Sequence, residues 1–371
     1  MRITIVQGAF LPIPPMMGGA VEKIWFGLGQ EFARRGHEVT HISQEHDSLE
    51  SKEVVEGVLH IRIPGYEIPQ SLLRLKWRDL LYSRRALKVV PESDVVVTNT
   101  FWLPIIAPQT KCGRLYVHIA RYPKGQMKFY GKAARLQAVS TVIGNAVRNE
   151  APRLALKVRV IPNFISDVRP ASDNARRKYI LYVGRVHPEK GLNLLLDAFA
   201  RVVHTGFKDW KLRVLGPWQT KYGGGGEAYF ETLREKSQAI RDQVDWIGPV
   251  FNAEELNAHY RQSSFFVYPS LAAQGEACPL APLEAMAAGC PPLVSSLDCF
   301  KDYLKPGQNG WSFAHDSQDS VGSLATALQE VMKGSDSLAG FRKSAIQTAQ
   351  EYTLPKVADL YLRDFEELVS A

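Results

Sequence analysis

The chain has 371 residues, 45% hydrophobic and 22% charged, a balance that suits a folded α/β protein of about two domains and excludes a disordered or low-complexity chain. Its net charge of +7 is uneven: residues 1–170 carry 24 Lys and Arg against 14 Asp and Glu, and the remainder 21 against 24. The basic half predicts an anionic partner; with no basic stripe interleaved with stacking aromatics, that partner is an anionic membrane surface or a phosphorylated acceptor and not nucleic acid.

Cys112, Cys278, Cys290 and Cys299 show no CxxC spacing, so neither a zinc site nor a disulfide framework is expected. Only a short apolar strand precedes polar Gln7, and no apolar run approaches the roughly 18 residues of a membrane span. The expected location is therefore the cytoplasm, with peripheral attachment to the inner face of the cell membrane where the basic half meets it.

In chain order, residues 3–6 form an apolar strand, and the loop FLPIPPMMGG leads into a helix in which Val21, Ile24, Trp25, Leu28 and Phe32 recur at helical spacing. Gly36 closes it before the strand EVTHIS. Gly18 and Gly19 stand just before that helix, where backbone N–H groups can approach a phosphate with no Cβ in the way; a plain loop is the other reading, and the spacing is not GxGxxG. Residues 70–90 set Arg74, Lys76, Arg78, Arg84, Arg85 and Lys88 among Leu, Trp and Tyr in a basic amphipathic helix. Two readings fit it: docking on an anionic bilayer, or a solvated helix whose apolar face packs on its own domain. Strands follow at 94–98 and 115–118, the second placing His118 at a carboxyl end, where parallel α/β sheets keep their chemistry.

Residues 158–170 read as a crossing between domains, with a turn at Pro162 and Asn163 and the polar stretch ASDNARRK ahead of a strand at 179–183. Gly184, Arg185 and Lys190 then lead into a helix whose Leu192, Leu195, Leu196, Phe199 and Val203 share a face. An Arg that grips two oxygens and a Lys point charge suit a diphosphate; surface charge is the other reading of each alone. KLRVLG is the next strand, the loop WQTKYGGGGEAYF reads as a flexible linker, and SFFVYPS is a buried strand running straight into Glu276. In EACPLAPLEAMAAG, Pro279 and Pro282 start a helix, residues 285–288 carry it and Gly289 ends it, so Glu276 lies just before a helix N-terminus and Glu284 within the helix. The unpaired N–H groups of its first turn, near Leu280, favour a phosphate or diphosphate. The chain closes on a helix with Val357, Leu360, Tyr361 and Phe365 in step.

Gly18-Gly19, Arg35-Gly36-His37, Gly184-Arg185 with Lys190-Gly191, and Glu276 with Glu284, in that order, resemble the retaining GT-B glycosyltransferases of family 4, the glycosyl transferases group 1. The resemblance spans nearly the whole chain and implies an α/β GT-B fold, two Rossmann-like domains facing across a cleft. Residues 1–165, completed by a helix at 353–371, would bind the acceptor, and residues 166–352 the donor. The reaction implied is transfer of a hexosyl group with retention from a nucleotide-diphosphate sugar, UDP-sugar before GDP-sugar, to a hydroxyl of a saccharide or lipid-linked acceptor in polysaccharide, lipopolysaccharide or glycolipid synthesis. Arg185 and Lys190 would hold the diphosphate together with the helix N-terminus at Leu280, Glu284 the ribose, Glu276 a sugar hydroxyl and Val250 the base. Gly18 and Gly19 would meet the phosphates from the other domain, and His118 would contact the transferred sugar. In the family's usual front-side displacement the departing phosphate takes the acceptor proton; with no Asp-x-Asp in the chain, neither metal nor cofactor is expected.

The chain departs from the family pattern at Ala277 and Cys278, where Gly-aromatic is usual, at Phe164, which replaces a glycine, and at Ile119 after His118. Two other classes fit the same features: a nucleotide-sugar 2-epimerase of the same fold, and a non-catalytic nucleotide-sugar-binding protein.

Overall fold

The structure, a computed structural model, describes residues 1–108, 112–165, 168–170 and 176–370. It forms two units, Met1–Phe164 with Leu354–Ala371, and Ile165–Thr353. Most of the polar stretch that the sequence places at the domain crossing, residues 171–175, lies outside the described residues, as does residue 166.

The first unit is built on β1 (Arg2–Val6), β2 (Glu38–Gln44), β3 (Lys52–Val55), β4 (Val58–Ile63), β5 (Val95–Thr98), β6 (Arg114–Ile119), β7 (Arg135–Ala138) and β8 (Val158–Val160). They lie in the order β3-β4-β2-β1-β5-β6-β7-β8, parallel except for the β3–β4 pair. Strands covered on both faces need apolar side chains on both, and β5 is the unbroken buried run VVVT. Its helices are α1 (Ala20–Arg34), α2 (Leu72–Val89), α3 (Leu103–Ile106) and α4 (Thr141–Glu150). The apolar face of α1 is buried through Ile24, Trp25, Leu28 and Phe32.

Of the two readings of helix α2, packing on its own domain holds for the second half of the helix. Its second half packs on the unit through Tyr82, Ser83 and Ala86, and Asp79 accepts the N–H groups of Phe101 and Trp102, each at 3.1 Å. Its first half leaves Leu72, Leu73 and Trp77 exposed at 76%, 81% and 60%.

The second unit contains β9 (Arg177–Val183), β10 (Lys211–Leu215), β11 (Val244–Gly248), β12 (Ser263–Tyr268), β13 (Pro292–Ser295) and β14 (Trp311–Phe313), in the order β11-β10-β9-β12-β13-β14 and parallel throughout. Helices α5 (Leu192–His204), α6 (Glu227–Lys236), α7 (Ala253–Gln262), α8 (Leu280–Ala287), α9 (Ser320–Lys333) and α10 (Ala339–Gln350) complete it. From β9 the chain builds outward through β10 and β11, then returns to lay β12 on the other side of β9. Loops leaving β9 and β12 diverge at that reversal, and their carboxyl ends form the crevice where open α/β sheets bind ligands.

The closing helix, α11 (Leu354–Ser370), belongs to the first unit. Tyr361 meets Trp25 with ring centroids 5.1 Å apart and Phe365 meets Phe32 at 5.8 Å. Arg35 bonds Glu31 at 2.8 Å on its own helix and Asp359 on α11. His37 takes a structural place as the chain turns into β2, its Nδ1 lying 3.3 Å from the N-terminal amine.

Candidate active site

The loop after β9 carries Gly184 and Arg185, then a single helical turn, Pro188–Lys190, that ends at Gly191 with φ of 72°. A Cβ on Gly191 would lie 1.9 Å from the carbonyl oxygen of Pro269, so only glycine lets this turn press against the backbone leaving β12. That contact carries Lys190 into the loop after β12. Its Nζ lies 2.5 Å from Oε1 of Glu276, and both side chains are 6% exposed. The same oxygen accepts Ser270 Oγ at 2.7 Å and Tyr268 OH at 3.0 Å. A buried carboxylate keeps its charge only when paired and hydrogen-bonded, and Glu276 is both.

Arg185 donates to Glu189 Oε1 at 2.8 Å and to the Gly223 carbonyl at 2.6 Å, and its side chain stays 42% exposed. Beside it, Gly184, Gly216, Pro217, Val250 and Phe251 line a small cavity of about 150 Å³. Val250 and Arg185 thus border one space.

Helix α8 begins after Pro279 with no side-chain cap and no acidic residue in its first turn, which leaves the Leu280 end suited to an anion. Glu284 lies one turn further on, half-buried, and accepts Tyr260 OH at 3.3 Å. Burial, reinforced by this carboxylate, holds the Tyr260 hydroxyl well above its ordinary value, so it remains a donor.

The glycine-rich loop expected to be a flexible linker is a packed turn. Gly225 N–H donates to Val186 O and Gly226 N–H to Trp218 O, both at 2.8 Å, and a Cβ on Gly224 would lie 2.2 Å from the Trp218 carbonyl carbon. The glycines serve close backbone approach, and their yield is the Gly223 carbonyl that holds Arg185.

In the first unit, Gly18 and Gly19 have φ of 85° and 94° and precede α1 as the sequence indicates. Glu22 in the first turn folds back on Gly19 and is only 8% exposed; burial pushes its carboxyl above the ordinary value. His118 does not present itself at an open edge. It is 4% exposed, its Nδ1–H donates to Gln137 Oε1 at 2.5 Å, and its ring meets Trp25 edge-on at 5.4 Å. Gln137 is fixed in turn by donating to the Ile161 carbonyl at 2.6 Å. Side chains alternate along β6, and His118 shares the face of Tyr116, which packs on α11. Burial lowers its pKa to about 4, and the neutral ring's Nε2 has no hydrogen-bond partner among the described residues.

The structure thus gathers Arg185, Lys190, Val250, Glu276, Leu280 and Glu284 at the carboxyl edge of the second unit, with Lys190 and Glu276 in direct contact. It adds Glu189, Tyr268 and Ser270, which the sequence reading passed over. Their signal was present: Tyr268 and Ser270 are polar residues two apart at the end of a fully buried strand, and Glu189 is next to Lys190.

Residues 166–350 match the family model described as Glycosyl transferases group 1. The phosphatidyl-myo-inositol mannosyltransferase of Mycobacterium leprae (strain TN) is 28% identical over 195 residues, which is 52% of this chain and 48% of that protein. Among solved structures, sucrose-phosphate synthase from Thermosynechococcus elongatus covers all of both chains with a TM-score of 0.79 at 16% identity. Anabaena Alr3699/HepE in complex with UDP and glucose covers 99% of each with a TM-score of 0.70 at 14% identity. These structural likenesses define the fold, and it is GT-B. Through residues 166–350 the chain belongs to the glycosyl transferases group 1 family, and it is a glycosyltransferase.

Proposed function

We propose that this glycosyltransferase is a retaining, metal-independent hexosyltransferase. It would move a sugar from a nucleotide-diphosphate sugar, UDP-sugar before GDP-sugar, to a hydroxyl of a saccharide or lipid-linked acceptor in polysaccharide, lipopolysaccharide or glycolipid synthesis. The observation that carries this reading is the contact between Lys190 and Glu276 beside the uncapped start of α8. There a cation and backbone N–H groups would serve a diphosphate, next to a carboxylate that would serve sugar hydroxyls. The UDP and glucose bound to the structurally similar HepE, and the phosphatidyl-myo-inositol in the name of the mycobacterial mannosyltransferase, support the substrate classes.

The chemical demand is negative charge growing on the leaving diphosphate as the anomeric carbon becomes oxocarbenium-like. Arg185, Lys190 and the first turn of α8 would stabilise that charge as fixed electrostatics, without reorganising during the reaction. Glu284 would bind the ribose hydroxyls, and Val250 would flank the base in the cavity it shares with Arg185. Glu276 would accept a hydroxyl of the sugar, and Gly18 and Gly19 would meet the phosphates. The departing phosphate would take the acceptor proton, which removes the need for a dedicated carboxylate base.

The exposed Leu72, Leu73 and Trp77 alternate with Arg74, Lys76 and Arg78 along the first half of α2. This pattern supports peripheral docking on an anionic membrane, at the inner face of the cell membrane, where a lipid-linked acceptor resides. Among the described residues, no helix is long and apolar enough to cross a membrane.

The test is release of nucleotide diphosphate from UDP-glucose, GDP-mannose and ADP-glucose, with and without a mixture of saccharide and polyprenyl-linked acceptors. Acceptor-dependent release, unaffected by EDTA and giving the donor's anomeric configuration by NMR, is expected. Loss of activity in EDTA, or inversion at the anomeric carbon, would overturn the corresponding part of the reading.

A further inference from the structure

Three donors converge on one oxygen of Glu276. Lys190 Nζ at 2.5 Å, Ser270 Oγ at 2.7 Å and Tyr268 OH at 3.0 Å all meet Oε1, while Oε2 has no hydrogen-bond partner among the described residues. A carboxylate offers about four lone-pair sites over its two oxygens, so three donors saturate Oε1 and leave the remaining capacity on Oε2.

The donors are themselves held. The Ser270 side chain is fully buried, and its carbonyl accepts Ser295 Oγ at 2.6 Å from the neighbouring strand β13. The Tyr268 ring stacks on Tyr182 with centroids 6.0 Å apart and planes 12° from parallel, and Lys190 Nζ lies 5.7 Å above it. Both hydroxyl oxygens are thus held in packed positions within reach of Oε1.

We propose that Ser270 and Tyr268 are positioning residues for the donor sugar: together with Lys190 they lock the Glu276 carboxylate by Oε1, leaving Oε2 as the acceptor for a hydroxyl of the transferred sugar. The pair thereby lets the site distinguish a nucleotide-diphosphate sugar from the bare nucleotide diphosphate. This rests on the donor-site reading given above. A carboxylate held through one oxygen presents the other in one direction, so binding the sugar hydroxyl carries a smaller ordering cost. Lys190 and Glu276 follow from the family motif, whereas Ser270 and Tyr268 follow only from the geometry around Oε1.

Isothermal titration separates the possibilities. The wild type, Ser270→Ala, Tyr268→Phe and the double variant are titrated with UDP, GDP and ADP, and with UDP-glucose, GDP-mannose and ADP-glucose. For the base that the wild type binds, each single variant is expected to hold the bare diphosphate within twofold of wild type and the nucleotide sugar at least fivefold more weakly. The double variant should lose less than the product of the single losses, because both hydroxyls act through one carboxylate. Tyr268→Phe keeps the ring and its stacking, so it carries the test if Ser270→Ala does not fold. Unchanged nucleotide-sugar affinity overturns the proposal, as does equal weakening of the bare diphosphate, which would mark a merely structural role. A wild type that binds none of the six ligands overturns the donor-site reading itself, and the proposal with it.

Discussion

Lys190 and Glu276, 86 residues apart in sequence, form an ion pair of 2.5 Å in which each side chain is 6% exposed. Removing one partner of a buried pair leaves the other charge uncompensated, a loss of about 3–5 kcal/mol. Glu276→Ala is expected to cost that much in urea unfolding. Lys190→Met should cost less, because Ser270 and Tyr268 still donate to the carboxylate. Equal stability of Glu276→Ala and wild type would contradict a buried, mutually compensating pair.

The pair depends on one backbone contact. Gly191→Ala would force a Cβ to within 1.9 Å of Pro269 O at a φ of 72°. Strain of about 1–3 kcal/mol is the least cost, with displacement of Lys190 as the alternative. A lowered melting midpoint together with weakened nucleotide binding is expected; a variant matching wild type in both would show that the turn does not rest on the backbone after β12.

Much of this was legible in the sequence. The buried run of β12 leading into Glu276, the prolines and Gly289 around α8, and the face of α5 all follow from local patterns. The pairing of Lys190 with Glu276 was not, because it requires β9 and β12 to be neighbours, and that adjacency is made by the reversal of strand order. His118 shows the same boundary from the other side: position along a strand can be read, but which face a side chain joins depends on the helices above. The four glycines of residues 223–226 misled because a tight turn and a linker share a composition. Only the contacts with Trp218 and Val186 tell them apart.

Three buried histidines make the first unit sensitive to acid. His41 and His60 stack at 5.6 Å with no hydrogen-bond partner for either ring among the described residues. Burial lowers His60 and His118 from 6.5 to about 4 and His41 well below 6.5. A depressed pKa contributes stability that is fully present above 6.5 and lost as pH falls toward 4, at up to about 1.4 kcal/mol per pH unit per group. Asp79 opposes this, since burial raises it from 3.8 to about 6 and its contribution is lost as pH rises through that window. Glu22, raised by its own burial, acts in the same direction as Asp79, and two carboxyls do not offset three imidazoles. The thermal midpoint should therefore fall between pH 7 and pH 5, and His60→Phe should flatten the dependence. A midpoint constant over that range would contradict burial of the neutral rings.

The membrane reading is open to mutation without disturbing the core. Leu72, Leu73 and Trp77 are exposed, so replacing all three with Glu should leave the melting midpoint unchanged. Sedimentation with vesicles containing about a third phosphatidylglycerol should show salt-sensitive binding by wild type and none by the triple variant. Arg85 is a poorer target, because it donates to Pro64 O at 2.8 Å and lies over the Tyr66 ring. Undiminished binding by the triple variant would exclude the first half of α2 as the anchor.

The most direct measurement is a thermal-shift panel of UDP, GDP, ADP and their sugar conjugates, without acceptor, on wild type, Lys190→Ala and Glu284→Ala. A ligand at about 100 times its dissociation constant adds about 2.7 kcal/mol, a shift of several degrees. One base is expected to shift the wild type, and each variant, binding tenfold more weakly at a cost of about 1.4 kcal/mol, should show about half that shift at the same ligand concentration. No shift of the wild type by any nucleotide, or full shifts in both variants, would contradict a nucleotide-sugar site at Lys190 and Glu284.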